Sequence, residues 1–479
     1  MPGLRYLEPF TKDELERIDS ATIRVFEETG VRVLEDEAKS LLQDAGAKLD
    51  GTTNIVKIPE RLVRDCLKSA PRKFRVYSRD GRHSIAFGEG KVQLSSVGTS
   101  IQTEGLDGIV RPSTLKDAEA FFKLSDALPH IDHCGWACWP RDIPDHVAPI
   151  QEIYLGFKNS TKTVDGWNWG KLGTERSLDL AAIVSGGRDM LSEKPLLLGF
   201  ANPVSPLTLS KEATEGLIIY ARNNQPCLYP PECMAGGTAP ATLAGLLVQQ
   251  NAEVLASIIV AQLARRGAPS VYSSVSSIMD MRTGSIALGA PEACLVMAGS
   301  AQIARYYGIP SRGTGGNTES MLVDYQAGAE SATTLLTAAL SGYDFIYDAA
   351  GSIESSLTAS FTKLVLDNDL CGEVKRIVSG IEVSEETLAT EVIRSAGLTA
   401  AYLRSPHTLR NFRKEHFTPS LMWRGARTAW TAHQKRELRE RARERCEEIL
   451  RTHKTDPPLE PEVEKKMVQF LKDLRKRAS

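Results

Sequence analysis

The chain has 479 residues, 42% hydrophobic and 25% charged, with a formal net charge of −2. That length can bury a large core, and the near-neutral balance leaves no basic footprint for nucleic acid or an anionic membrane, so neither partner is expected. Eight scattered cysteines in so long a chain do not make a disulfide framework and read as reduced core residues.

The N-terminus lacks a basic start followed by an apolar signal core. Thr11 to Glu14, T-K-D-E, reads as a capping box opening a helix, so a cytoplasmic protein is expected. Leu15, Ile18, Thr22, Val25 and Phe26 share one face of that helix, which ends near Gly30. The segments DEAKSLLQDAG and PERLVRDCLKSAP predict two more helices. KFRVYSRDGRHSIAFGEGKVQLSS then alternates apolar and polar residues around the hairpin signals Asp80-Gly81 and Gly88-Glu89-Gly90. Residues 1–85 are therefore expected to form a small α+β extension.

From residue 86 a coarser rhythm takes over. PSVYSSVSS, IPSRGTGG and YDFIYDAAG each follow a helical pattern closed by a glycine, Gly267, Gly308 or Gly342. Working backwards, QPCLYPPEC, KPLLLGFANP, TKTVDGWNW, HIDHCGWACW and VQLSSVGTSIQ are further strand candidates. Length alone suggests about two to four domains, yet an α/β barrel absorbs roughly 250 residues as one unit. Eight strand runs with intervening helices, none opened by GxGxxG, predict a TIM (β/α)8 barrel over residues 86–405. LAGLLVQQNAEVLASIIVAQLARRG, interrupted by Gln249, Gln250, Asn251 and Glu253, reads as a buried helix and not a membrane span. Residues 406–479 predict a helical C-terminal tail, with Leu438, Ala442, Ile449 and Leu450 on one stripe and Val463, Met467, Phe470 and Leu474 on another.

Barrel enzymes carry their active residues at the carboxyl ends of the strands. Those positions hold Trp136, Trp139, Trp167, Trp169, Asn202, Tyr229, Glu232, Ser274, Arg312, Asn317, Tyr347 and Asp348. The set is rich in aromatics and poor in nucleophile–base pairs, and neither GxSxG nor HExxH occurs, so no catalytic acid or base is assigned. GTGGNTES could cradle a phosphate through backbone N–H groups, but it lacks the ending of a P-loop; glycines that let backbone approach closely are the simpler account. His130, His133, Cys134 and Cys138 are plausible zinc ligands by type, yet in a strand His133 and Cys134 face opposite ways, and no metal site is assigned. Trp167 and Trp169 would share one face of an extended strand, with Asn168 on the other. Two indoles at a strand end suit a cage for a quaternary ammonium, each ring contributing about 0.5 to 2 kcal/mol when desolvated. Trp136 and Trp139 differ in parity and can both join only if the strand has already turned.

The stretches DYQAGAES, DAAG and KLVLDND, with TAPATLAGLLVQQNAEVLA, MDMRTGSIALGAPEACL and the closing TDPPLEPEVEKKM, resemble the trimethylamine methyltransferase family over nearly the whole chain. The resemblance implies a TIM barrel that passes a methyl group from an amine to the cobalt of a separate corrinoid protein. No cofactor is then held tightly by the chain itself, which is free to form a homo-oligomer. Family members acting on trimethylamine carry pyrrolysine. This sequence has only standard residues, so it is similar to the larger branch without it, whose known members demethylate glycine betaine, proline betaine or carnitine. Asp324, Gln326 and Glu330 match the family pattern, and a helix start accounts for them equally well.

A quaternary nitrogen leaves as a neutral tertiary amine, so the transfer needs no general acid. Positive charge on nitrogen fades toward the transition state, so caging rings assist binding more than rate. For a betaine carboxylate, Arg312 is the first candidate, with an ion pair to Asp348 as the competing account and Arg282 as the weaker choice. Asp348 and Glu232 could instead face the ammonium. Two other readings stay open: a barrel lyase or isomerase acting on a phosphorylated substrate, and a non-catalytic quaternary-amine binding protein.

Overall fold

Eight short strands pair in parallel as one closed ring: β1 (Gln93–Ser96), β2 (His133–Cys134), β3 (Thr163–Asp165), β4 (Leu197–Phe200), β5 (Cys227–Tyr229), β6 (Ser270–Ser273), β7 (Ser311–Thr314) and β8 (Phe345–Ala350), the last returning to β1. The computed structural model describes residues 6–398, 401–432 and 436–476. Every strand expected from the sequence is present, and the TIM-barrel reading holds. Each is followed by a helix: α1 (Leu115–Ala127), α2 (Ala148–Asn159), α3 (Lys171–Ser185), α4 (Lys211–Arg222), α5 (Leu243–Ala264), α6 (Pro291–Tyr307), α7 (Tyr325–Leu340) and α8 (Phe361–Val378). Parallel strands buried on both faces need this crossover pattern. At the end of α6, Gly308 takes a left-handed conformation (φ 69°), which turns the chain straight into β7 at no side-chain cost.

Helix α5 is long and apolar enough by composition to cross a membrane, but most of it is buried inside the protein. Its polar interruptions hold neighbouring elements together. Gln250 bonds Ser274 and Ser300; Asn251 bonds Thr22, Tyr272 and Tyr307; Glu253 accepts from Ser205 and the Leu207 N–H.

The N-terminal residues are woven into the barrel. Helices Lys12–Arg24 and Glu60–Ser69 pack on α5. Val31–Val33 pairs antiparallel with Ile55–Lys57 and, on its other edge, parallel with Thr208–Leu209 from the β4–α4 connection. The hairpin of Phe74–Tyr77 and Ser84–Phe87 seals the lower end: Val76, Ile85 and Phe87 meet Leu198, Leu228, Val271 and Phe345 from the strand interiors. Fully burying such side chains contributes about 1.5 to 3 kcal/mol apiece.

The tail runs along the outside. Helix Leu438–Thr452 lies on α8 and α1, burying Ala442, Cys446 and Ile449, and Pro461–Lys476 lies on α3 and α2, burying Met467, Leu471 and Leu474. Both stripes follow i, i+4, i+7 spacing. Leu438, Leu450, Val463 and Phe470, expected on them, flank the stripes and are half-buried.

Candidate active site

Strand alternation decides what faces the barrel axis. On β8, Phe345 and Tyr347 point inward; on β4, Leu198 and Phe200 do; on β5, Leu228 does. Above the sealed floor the interior opens at the carboxyl ends into a funnel with two connected lobes. The aromatic lobe, about 480 Å3, is walled by Trp136, Trp167, Trp169, Phe200 and Tyr347, with Asp165, Asn202 and Glu232 as its polar groups. The larger polar lobe, about 1060 Å3, contains Arg312, Asp348, Gln326, Glu319, Glu330 and Glu354. Phe200, Asn202, Glu232 and Tyr347 border both.

β3 ends at Asp165, so Trp167 and Trp169 lie in the loop beyond it, and strand alternation is not what sets them side by side. Asn168 between them is buried, and its Oδ1 accepts the Phe200 N–H at 2.7 Å, tying this loop to β4. Trp136 stacks on Trp167 with ring centroids 5.2 Å apart and planes inclined 13°. Trp169 is 45% exposed at the rim. Trp139 does not line the cavity: it leans on Trp167 at 5.5 Å and its indole Nε1 donates to Asp145.

Besides Trp139, three expected site residues lie off the cavity. Tyr229 faces outward, because Leu228 takes the inward position on β5; its hydroxyl is paired with Ser270 Oγ in the layer between strands and helices. Asn317 is buried behind the wall, with Thr314 Oγ1 donating to its Oδ1 and its amide donating to Ser356. Ser274 is likewise buried, against Gln250. Asp324 caps α7 by accepting from the Ala327 N–H, and Gln326 faces the polar lobe and donates to Glu330. Arg282 is at the rim but is held by Asp280 at 2.6 Å.

Asp165 joins the two halves of the site and has no counterpart among the residues expected from the sequence. It accepts from Tyr347 OH and from the Trp136 N–H, and its other oxygen lies 2.8 Å from His133 Nε2. His133 in turn meets Thr163 through Nδ1. Cys134 faces outward against Ser160, His130 packs on Phe417, and Cys138 is buried away from both, so the four ligand types singled out in this segment do not converge.

Arg312 is buried at 2% exposure, 5.0 Å over the Tyr347 ring. Its Nη1 donates to the Ser274 carbonyl, while its Nε has no partner among the described residues. Asp348, in a left-handed conformation (φ 57°), accepts the Gly98 N–H at 2.8 Å. Burial pushes its pKa up to about 6 against the pull of Arg312. Glu232 is also pushed up by burial and drawn down by Arg312, with its carboxylate open to both lobes. Asp165, Asp348 and Glu232 thus stand near Arg312 in the funnel, and Glu319, Glu330 and Glu354 add to its acids. The cavity suits a cation.

GTGGNTES holds its glycines for close approach. A Cβ on Gly313 would meet the Tyr343 ring at 2.5 Å, and one on Gly316 would come 2.5 Å from the Ala349 carbonyl. The Glu319 N–H is already taken by Glu330, and both carboxylates flank the loop, which is unfavourable for a phosphate.

A family model described as trimethylamine methyltransferase (MTTB) matches residues 2–479. The chain is 36% identical over 463 residues to a glycine betaine methyltransferase of Desulfitobacterium hafniense, covering 96% of each protein. It is 35% identical over 454 residues to the trimethylamine methyltransferase MttB of Methanosarcina barkeri, covering 94% of this chain and 91% of that one. The crystal structure of the monomethylamine methyltransferase MtmB of the same organism shares the fold at 16% identity, with a TM-score of 0.55 over 93% of this chain and 90% of that one. The chain belongs to the trimethylamine methyltransferase family and is an amine methyltransferase.

Proposed function

We propose that the protein transfers a methyl group from a betaine-type quaternary amine, such as glycine betaine, proline betaine or carnitine, to the reduced corrinoid of a separate protein. The observation that carries this reading is the aromatic lobe: five rings, Trp136, Trp167, Trp169, Phe200 and Tyr347, around an apolar space beside the acids Asp165 and Glu232. Rings and carboxylates together suit an onium ion that has no proton to donate. The D. hafniense relative, a glycine betaine methyltransferase, supports the substrate class.

In this reading the ammonium group sits in the aromatic lobe and the substrate carboxylate reaches Arg312 in the adjoining one. Arg312 lines this lobe and its guanidinium makes one hydrogen bond among the described residues, to the Ser274 carbonyl, which makes it a ready receptor for a carboxylate. The corrinoid supplies the nucleophile that accepts the methyl group. The chain's own task is to orient and desolvate the donor, since positioning can be worth about 7 to 11 kcal/mol in favourable systems. The open mouth, with Val204, Met281 and Trp169 exposed around it, leaves an apolar rim for a flat macrocycle. We further assign residues 1–85 as the extension, 86–405 as the catalytic barrel and 406–479 as the tail.

The test is to mix the protein with a reduced corrinoid protein and a panel of betaines, choline and methylamines, following the corrinoid absorbance. Transfer from at least one carboxylate-bearing quaternary amine is expected. Transfer from none of the panel would overturn the reading.

A further inference from the structure

Residues 381–398 and 401–414 leave the barrel as an arm. Its helices, Glu385–Leu388, Thr390–Ala396, Ala401–Arg404 and Pro406–Glu415, contain no buried residue among those described. The base is pinned, with Glu382 and Lys414 paired at 2.7 Å and Arg376 and Glu415 at 3.0 Å, so the arm is a defined excursion. It starts at the closed end of the barrel: Lys375, at the end of α8, pairs with Asp132 just before β2. The mouth is at the opposite end.

Helices of this length are marginal in water, where about 12 to 15 residues are needed even for favourable sequences, and they depend on packing. Yet the arm turns its apolar residues to solvent. Leu403 is 90% exposed and Leu409 74%, joined by Ile381, Val383, Ile393 and Leu398. These six side chains offer on the order of 500 Å2 of apolar surface. The flanking rings of Tyr402 and Phe412 bring the patch toward the ~800 Å2 per partner of a stable interface. The net charges are segregated: Glu382, Glu385, Glu386 and Glu391 outweigh Arg394 in the first half, where Arg394 is paired to Glu391, and Arg404, Arg410, Arg413 and Lys414 outweigh Glu415 in the second. A two-fold axis through such an arm sets the acidic half of one copy against the basic half of the other, as a self-complementary patch requires.

We infer that the arm docks against the same arm of a second copy of this chain, forming a two-fold dimer at the closed end and leaving both mouths free. Sedimentation velocity on the full chain at micromolar concentration should give a dimer or a closed multiple of one. Leu403→Glu with Leu409→Glu should reduce that species to a smaller one with unchanged circular dichroism. Glu385→Arg with Glu386→Arg should weaken it, and adding Arg410→Glu with Arg413→Glu to the same chain should restore it. These four charged positions are on the surface, so they decide the matter even if the leucine variant fails to fold. A monomeric wild-type chain, an assembly unmoved by the charge reversals, or a failure of the combined reversal to restore it would each overturn the inference.

Discussion

The Arg312 guanidinium lies 5.0 Å over the Tyr347 ring and makes no ion pair among the described residues, although Asp348 directly follows that tyrosine. Its charge is stabilised by a ring face, one carbonyl and the more distant field of Asp348 and Glu232. A buried cation so lightly satisfied is costly unless a ligand completes it. The ion pair with Asp348, the competing account for this arginine, is not formed.

Replacing Arg312 by Gln should therefore discriminate between substrates. Losing a charge-assisted hydrogen bond of about 1.5 to 3 kcal/mol raises the substrate requirement for a carboxylate-bearing onium by about 10- to 150-fold. Choline, which has no carboxylate, should show a change of less than about threefold. Steady-state KM values for the two donors check this. Equal losses on both would remove Arg312 from carboxylate recognition.

Trp169→Ala should raise KM by about 2- to 30-fold with kcat nearly unchanged, because a caging ring contributes to ground-state binding of the full cation. Trp167→Ala removes the partner of Trp136 as well, so it should also lower the melting temperature. A fall in kcat without a change in KM for Trp169→Ala would place that ring outside the cage.

Asp348 should impose a pH dependence on both binding and stability. Its folded pKa, about 6 against 3.8 in the unfolded chain, means the folded state resists ionisation. The penalty is absent below pH 3.8, grows up to about pH 6 and is constant above, reaching about 3 kcal/mol. Asp348→Asn should accordingly stabilise the protein at pH 7 by up to that amount and not at pH 3.5, since asparagine tolerates the left-handed backbone and can still accept from Gly98. An onium bound nearby favours the carboxylate, so affinity should fall below pH 6 in the wild-type chain and less so in Asp348→Asn. Melting curves from pH 3.5 to 8 and binding isotherms from pH 5 to 8 read the two effects.

Glu152 on α2 is fully buried and neither of its carboxyl oxygens has a partner among the described residues. Burial, reinforced by Asp165, holds its pKa well above the usual carboxylate range. Folding then keeps it neutral, and each pH unit above about 4.5 costs up to about 1.4 kcal/mol until the folded pKa is reached. Glu152→Gln should raise the melting temperature at pH 8 and leave it unchanged near pH 4.5. A lower melting temperature at pH 8 would show that the carboxylate has a partner.

The barrel was legible because its units repeat: a helical pattern, a glycine at its end and a short β-rich run recur at Gly267, Gly308 and Gly342. The interlocking of the extension was not, since the pairing of Val31–Val33 with Thr208–Leu209 and the plugging by Val76 and Phe87 are contacts between residues far apart in the chain. In the site, Trp167, Trp169, Arg312 and Asp348 follow from strand ends and residue type. Tyr229 was misplaced because a run such as CLYPP does not say which of Leu228 and Tyr229 faces the axis; packing against the hairpin decides it. Phe200 and Asp165 carry a signal visible only afterwards: each is an inward position at the carboxyl end of its strand.

The stoppered floor has one more implication. On the proposed function, with Val76, Ile85 and Phe87 filling the lower barrel, fresh donor, spent amine and the methyl acceptor would all come and go through the mouth at the strands' carboxyl ends. They must use it in turn, so a docked acceptor traps whatever lies beneath it. At high acceptor concentration, turnover should be limited by queueing at that entrance, and excess corrinoid protein should slow the enzyme.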